Sequence, residues 1–252
     1  MNTIKMSEVA EYVNLHINVF HQSRLNILSK LTLKQLITKN PYLFRAKNIS
    51  IASELICSTL DAFLSSSEEK LFGDFLEDLA VFIASKTTGG YKSSAPGLDL
   101  EFENDGAHYL VSIKSGPNWG NSSQHKKLVQ DFNEAERRLK QSLHVMNVYK
   151  VLGICYGKTP TKITSKGYYK IVGQNFGALI SNNENLYTEI IEPVGFRAKE
   201  HNDQFYEKKG NIINCLTAQF IQEFCDSSGV INWQKLVRYV SGNYDLNHTI
   251  YS

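Results

Sequence analysis

In the segment Pro96–Gly116, PGLDLEFENDGAHYLVSIKSG, four polar residues recur at strand spacing: Asp99 and Glu101 in one run, Ser112 and Lys114 in the next. Side chains of an extended strand alternate between faces, so each pair shares a face. The positions between them, Leu98, Leu100 and Phe102 and then Tyr109, Val111 and Ile113, are apolar. They predict a buried face that fixes the register, because a one-residue slip would carry the apolar set into the polar layer. The polar pairs then converge across a hairpin turn. Two carboxylates and an ammonium on one sheet face suit a hard divalent cation and a water that must lose a proton. An ordinary solvated hairpin shows the same alternation, so the surroundings of the motif decide between the two.

Those surroundings resemble the PD-(D/E)xK nuclease superfamily, whose pattern is a proline-linked acid on one strand and acid-x-lysine on the next. Pro96 precedes Asp99 in a Pro-Gly-x-Asp variant, and Ser112-Ile113-Lys114 stands where acid-x-lysine is expected. Serine brings no carboxylate. The second metal-binding acid is then either Glu101, two residues beyond Asp99 on the same strand face, or Glu77. The Gly73-x-x-x-Glu77 spacing resembles the family's first helix, which carries a glutamate next to the metal, and a glycine one turn away leaves room beside it. The Ser-Ile-Lys-Ser-Gly run and the later Gly-x-x-Tyr-Gly run resemble a subgroup whose acid-x-lysine has also lost its acid.

The order of elements over residues 64–176 is similar to that of a type II restriction endonuclease of this superfamily: a helix with Glu77, the hairpin, a Gln-containing helix start, then the strand VYKVLGICYGK. The resemblance implies an α/β fold with a mixed central sheet flanked by helices. It also implies hydrolysis of phosphodiester bonds in double-stranded DNA with Mg2+, or Mn2+ in its place. A homodimer on palindromic DNA and a companion DNA methyltransferase belong to the same expectation. Asp99 is expected to bind the metal with Glu77 or Glu101 and the carbonyl of Ile113. Lys114 is expected to orient or deprotonate the attacking water and to stabilise charge on the phosphate. Two other readings share these residues: a structure-directed repair or recombination nuclease, and a DNA-binding protein that has lost catalysis, for which Ser112 is the argument.

The elements that must position these groups are legible in part. In SSSEEKLFGDFLEDLAVFIASK, Ser67 or an adjacent serine is expected to cap a helix whose Glu68 and Glu69 complement the dipole. Leu71, Phe75, Leu76, Leu79, Phe82 and Ile83 form its apolar stripe. After Gly116 a loop leads into a second helix with Leu128, Phe132, Ala135 and Leu139 on one side. Its polar start, with Asn118, Trp119, Asn121, Ser122, Gln124 and Lys126, is the expected DNA contact. Amides at a helix start attract phosphate, and Asn and Gln match adenine edges. The plainer alternative is a capped helix start with Trp119 as filler. GICYGKT at 153–159 falls one residue short of a phosphate-binding P-loop, since position 152 is Leu. The basic loop from Lys158 to Lys166 is instead expected to meet the phosphate backbone through Lys158.

The flanks read as mainly helical, over residues 6–30, 50–65, 203–226 and 233–240, with Asn40-Pro41 as a break. A single nuclease domain over 1–252 is expected: a helical part at 1–63, the catalytic core at 64–176 and a helical part at 177–252. The 27 basic and 25 acidic residues give a net charge of +2, which argues against a nonspecific nucleic-acid coating protein. The four cysteines form no CxxC and the seven histidines no zinc-type cluster, so reduced, packed thiols are expected and zinc chemistry is not. With neither a signal pattern nor a long apolar run, the expected location is the cytoplasm, away from any membrane.

Overall fold

Apolar periodicity near 3.6 residues and short β-branched or aromatic runs alternate along the chain, and a computed structural model realises both. The structure describes residues 2–142 and 147–243. The elements up to the hairpin are α1 (Met6–Lys30), α2 (Leu33–Leu36), α3 (Pro41–Ala46), α4 (Ala52–Thr87), β1 (Tyr91–Lys92), β2 (Leu100–Asn104) and β3 (Ala107–Lys114). They are followed by α5 (Ser122–Ser142), β4 (Val148–Ile154), β5 (Lys162–Ile163), β6 (Tyr169–Val172), α6 (Gln174–Ser181), α7 (Leu186–Glu189), α8 (Ile191–Val194), α9 (Ala198–Phe224) and α10 (Trp233–Ser241). Two compact units result, residues 1–20 with 70–198, and residues 21–69 with 199–252.

The first unit holds the sheet, in strand order β1-β2-β3-β4-β6-β5. β2 and β3 form the expected antiparallel hairpin, with Leu100 opposite Val111 and Glu101 opposite Leu110. β3 and β4 pair in parallel, as do β4 and β6, so the sheet is mixed. One face packs Leu100, Phe102, Val111 and Ile113 against Val9, Val13 and Ile17 of α1 and Phe75, Leu79 and Ile83 of α4. Each such side chain, fully buried, contributes roughly 1.5–3 kcal/mol.

The other face is covered too, which corrects the expectation of one greasy and one polar layer. Leu110, Leu152 and Ile154 pack there against Leu128, Phe132 and Ala135 of α5. The polar residues of that face are buried with them: Glu101, His108 and Ser112 are 6%, 2% and 1% exposed. Leu98 joins this α5 cluster rather than the opposite one. It precedes the strand, in a turn where its amide donates to the Ala95 carbonyl and Gly97 takes φ +76°, so strand alternation does not extend to it.

α4 is one helix of 36 residues where the sequence suggests two. The serines read as a cap are internal to it. Ser66 and Ser67 donate to the carbonyls of Ala62 and Phe63, four residues back, and satisfy their hydroxyls without ending the helix.

In the second unit, Leu28, Leu36, Phe44, Leu60, Phe220 and Phe224 belong to a separate helical core. Its short helices start on local signals: a Thr32/Gln35 capping box, Asn40 ahead of Pro41, and Asn232 accepting from the Lys235 amide. α9 continues through Gly210 without a break. Among the described residues no helix is long and apolar enough to cross a membrane.

Candidate active site

The end of β3 is where the predicted chemistry is assembled. Asp99 lies just before β2, its amide donating to the Val111 carbonyl at 2.9 Å. Its Oδ2 accepts from the Ile113 amide, from Lys114 Nζ at 3.3 Å and from Ser112 Oγ at 3.3 Å. Ser112, standing in place of an acid, thus serves as a buried donor to the acid on the neighbouring strand. Amide and carbonyl of one strand residue point to the same side, so the Ile113 carbonyl also turns toward the Asp99 strand.

The approach to Asp99 is set by Gly97. A methyl group there would overlap the carboxylate of Asp131 on α5, and the positive φ is one that side chains rarely adopt. Asp131 is itself buried and held by Lys127 Nζ at 2.7 Å. The Pro-Gly-x-Asp variant therefore lets the backbone approach α5 closely, two residues ahead of the acid.

Glu77 faces this group from α4. Burial and the negative charge of Asp99 push its carboxyl above the usual range, against the pull of Lys92 and Lys114. Lys92 Nζ stands 3.6 Å from Glu77 and 3.4 Å from Asp78. One turn before Glu77, Gly73 lies against Ser115, whose Oγ is 3.5 Å from where a Cβ would be, so α4 passes close to the end of β3. Cys155, whose amide donates to the Lys114 carbonyl, completes the wall. Burial, with the charge of Glu77, pushes its thiol up to about 12, which leaves it a packing group.

Glu101 is placed differently. Its carboxylate accepts from Ser93 Oγ, from His108 Nε2 at 3.0 Å and from the Tyr91 hydroxyl at 3.4 Å. The His108 bond holds the Glu101 carboxyl below its usual range, and the same bond raises the imidazole. His108 lies in β3, just past the hairpin turn. Sequence reasoning missed Tyr91, Ser93 and Lys92, which sit in or beside a two-residue strand, too short to show a period. His108 had a signal, since its place opposite Glu103 follows from the hairpin register.

The residues expected at DNA divide in two. Trp119, half-buried, has Lys114 Nζ 5.5 Å from its ring centroid and packs edge-on to His125. Asn121 and Gln124 cap α5 reciprocally: each side-chain oxygen accepts from the other's backbone amide, at 3.0 and 2.8 Å. Asn118, Ser122, Lys126 and Lys158 are exposed.

All oxygen donors near Lys114 are hard: the carboxylates of Asp99 and Glu77 and the Ile113 carbonyl. Among the described residues no three or more Asp, Glu, His or Cys stand together as a ready-made metal cluster. Mg2+ retains several waters and takes one or two carboxylates beside substrate phosphates, so a sparse oxygen set of this kind fits it.

No curated protein matches the chain. The family model described as type II restriction endonuclease EcoO109I matches residues 7–202, more than three quarters of the length. With its mixed sheet flanked by helices, the chain belongs to this family of PD-(D/E)xK-type restriction endonucleases.

Proposed function

We propose that the protein hydrolyses phosphodiester bonds at specific sites in double-stranded DNA, with Mg2+ as cofactor and Mn2+ able to replace it. The observation that carries this reading is Lys114 Nζ at 3.3 Å from Asp99 Oδ2, with the carboxyl of Glu77 pushed up by the Asp99 charge. Asp99, Glu77 and the carbonyl of Ile113 would hold the cation. Glu101 has its oxygens taken by Ser93, His108 and Tyr91, which favours Glu77 as the second acid.

A bound divalent cation supplies Lewis acidity toward the phosphate and lowers the pKa of water. Lys114 donates to the attacking water and to a phosphoryl oxygen, orienting the one and stabilising charge on the other. Ser112 and the Ile113 amide keep the Asp99 carboxylate aimed while Lys114 turns to substrate. Trp119 flanks the ammonium and limits its freedom. Asn118, Ser122, Lys126 and Lys158, exposed around the same end of the sheet, are assigned to DNA, together with the capping amides of Asn121 and Gln124. Homodimer formation and a companion methyltransferase follow from the family reading. Cytoplasmic residence is supported by four cysteines without disulfides.

The test is incubation of the purified protein with unmethylated phage DNA in Mg2+ or chelator. Sharp Mg2+-dependent fragments that vanish in Lys114→Ala support the reading. A smear would shift it to a structure-directed nuclease. Intact DNA on every substrate tried, methylated DNA included, would favour a binding protein that lost its second strand acid at Ser112.

A further inference from the structure

In the helical unit formed by residues 21–69 and 199–252, charge is segregated along the chain. Residues 25–53 hold Lys30, Lys34, Lys39, Arg45 and Lys47 without one Asp or Glu, and residues 227–243 likewise hold Lys235 and Arg238. Among the described residues none of these cations makes an ion pair; pairs elsewhere in this unit include Arg24 with Glu68 and Lys209 with Asp61. Asp226, the last acid before α10 in sequence, is occupied by the Ser228 and Val230 amides of its own turn.

The two acid-free segments meet where α10 packs on α3. Between them lies an open groove of about 370 Å³, lined by Pro41, Tyr42, Arg45, Trp233, Val237 and Arg238. The Arg45 guanidinium sits 5.9 Å from the Trp233 ring centroid, and Tyr42 is 63% exposed. Ring faces and guanidinium groups are thus presented together with no carboxylate in the lining.

Charge decides the occupant. A twofold contact with a second copy would set this cationic patch against itself, which costs free energy. An apolar peptide would cover the rings and leave Arg45 and Arg238 unpaired. A nucleic-acid strand answers both, with phosphates for the guanidiniums and a base face for the indole. Duplex bases are stacked and cannot reach an aromatic groove, so an unpaired strand fits best.

We propose that the α3–α10 groove is a nucleic-acid contact separate from the Asp99–Lys114 site, seating one unstacked base on Trp233 with the flanking phosphates on Arg45 and Arg238. The proposal does not rest on the metal chemistry.

The chain has two tryptophans, Trp119 and Trp233, so full-length Trp119→Phe reports on Trp233 alone. Titration with a short oligothymidylate in chelator is expected to quench its emission saturably, and a duplex of equal length to quench it at least about tenfold less efficiently, since only an exposed base stacks. Adding Arg45→Gln and Arg238→Gln, both exposed positions without an ion pair among the described residues, with half-saturation referred to each protein's own unquenched emission because Arg45 also gives up its contact with the Trp233 ring, is expected to weaken half-saturation about tenfold or more. The slope of log affinity against log salt is expected to fall by about 1.4, some 0.7 for each lost phosphate contact. Emission unmoved by the strand would overturn the proposal, as would quenching that is equal in the arginine variant. Quenching that follows protein concentration without nucleic acid would overturn it in favour of self-association. The reciprocal Trp233→Phe protein keeps Trp119 beside Lys114. A response there alone would confine nucleic acid to the catalytic strand and reject the groove while leaving the nuclease reading intact.

Discussion

Lys114 and Asp99, fifteen residues apart, meet at 3.3 Å on an oxygen that also accepts from the Ile113 amide and the Ser112 hydroxyl. Three donors on one carboxylate oxygen, all from a single strand, leave the acid little freedom to rotate. The other Asp99 oxygen carries none of these bonds and, under the proposed function, is the one that would meet a cation. Aim and availability are thereby divided between two atoms of one side chain.

Lys114→Ala is expected to lower cleavage about 10²–10⁴-fold, the usual scale for a group that positions or moves a proton. Duplex affinity measured in Ca2+ is expected to change little. Equal loss of binding and cleavage would make Lys114 a DNA-contact residue only.

Glu77 gives a pH and metal signature. A carboxyl with a raised folded-state pKa contributes stability that is present below its unfolded value and lost as pH rises through the folded one. Metal-free protein is therefore expected to be held back at neutral pH by the charged Glu77 beside Asp99. Glu77→Gln is expected to raise the metal-free Tm at pH 7 and to abolish most of the Tm increase that Mg2+ gives the parent. An unchanged Mg2+ response in this variant would return Glu101 to the ligand set.

The Glu101–His108 pair is expected to matter for folding more than for chemistry. Glu101, with a lowered pKa, contributes stability above its ordinary value of 4.5 that is lost as pH falls through the folded one. His108, with a raised pKa, contributes stability below its ordinary 6.5 that is lost as pH rises through the folded one. The stability difference between the parent and His108→Ala is thus expected to be greatest between those two values and to shrink on both sides. Leaving the buried Glu101 carboxylate without this donor is expected to cost about 2–4 kcal/mol in that window, read by urea denaturation. Cleavage by the folded fraction is expected to stay within a few-fold of the parent, roughly 1 kcal/mol or less in barrier.

Gly97→Ala combines a left-handed backbone with overlap against Asp131. The expected loss is about 2–5 kcal/mol, from roughly 1–2 for the conformation and 1–3 for overpacking. Because the strain falls two residues before Asp99, cleavage is expected to drop more than the folded fraction does, measured by comparing activity with denaturation on the same preparation.

Much of this unit is written in local pattern. The hairpin register follows from Leu100, Phe102, Val111 and Ile113, and α5 from Leu128, Phe132 and Ala135 at helical spacing. What the pattern misled on depends on partners distant in sequence. Ser66 and Ser67 resemble caps, yet their hydroxyls return to carbonyls of the same helix, a choice that propensity leaves open. Glu101 shares its strand face with Asp99 in one dimension, but the helix layer over that face, with Ser93 and His108, turns it into a buried acceptor. The polar start of α5 had both a binding and a capping reading, and Asn121 with Gln124 satisfies the capping geometry. Leu98 shows that alternation holds only where the strand itself extends.

The hairpin has a further meaning for how the molecule comes into being. β2 and β3 join across the two residues Asp105 and Gly106, whereas β3 and β4 must wait for a crossover through α5. Contacts close in sequence form first, and parallel pairings that need long loop closure form late. Asp99 and Lys114 are thus brought together by one of the sheet's local pairings. The pairing of acid and lysine therefore needs no strand beyond the hairpin itself, and β4 with its α5 crossover serves to lock it.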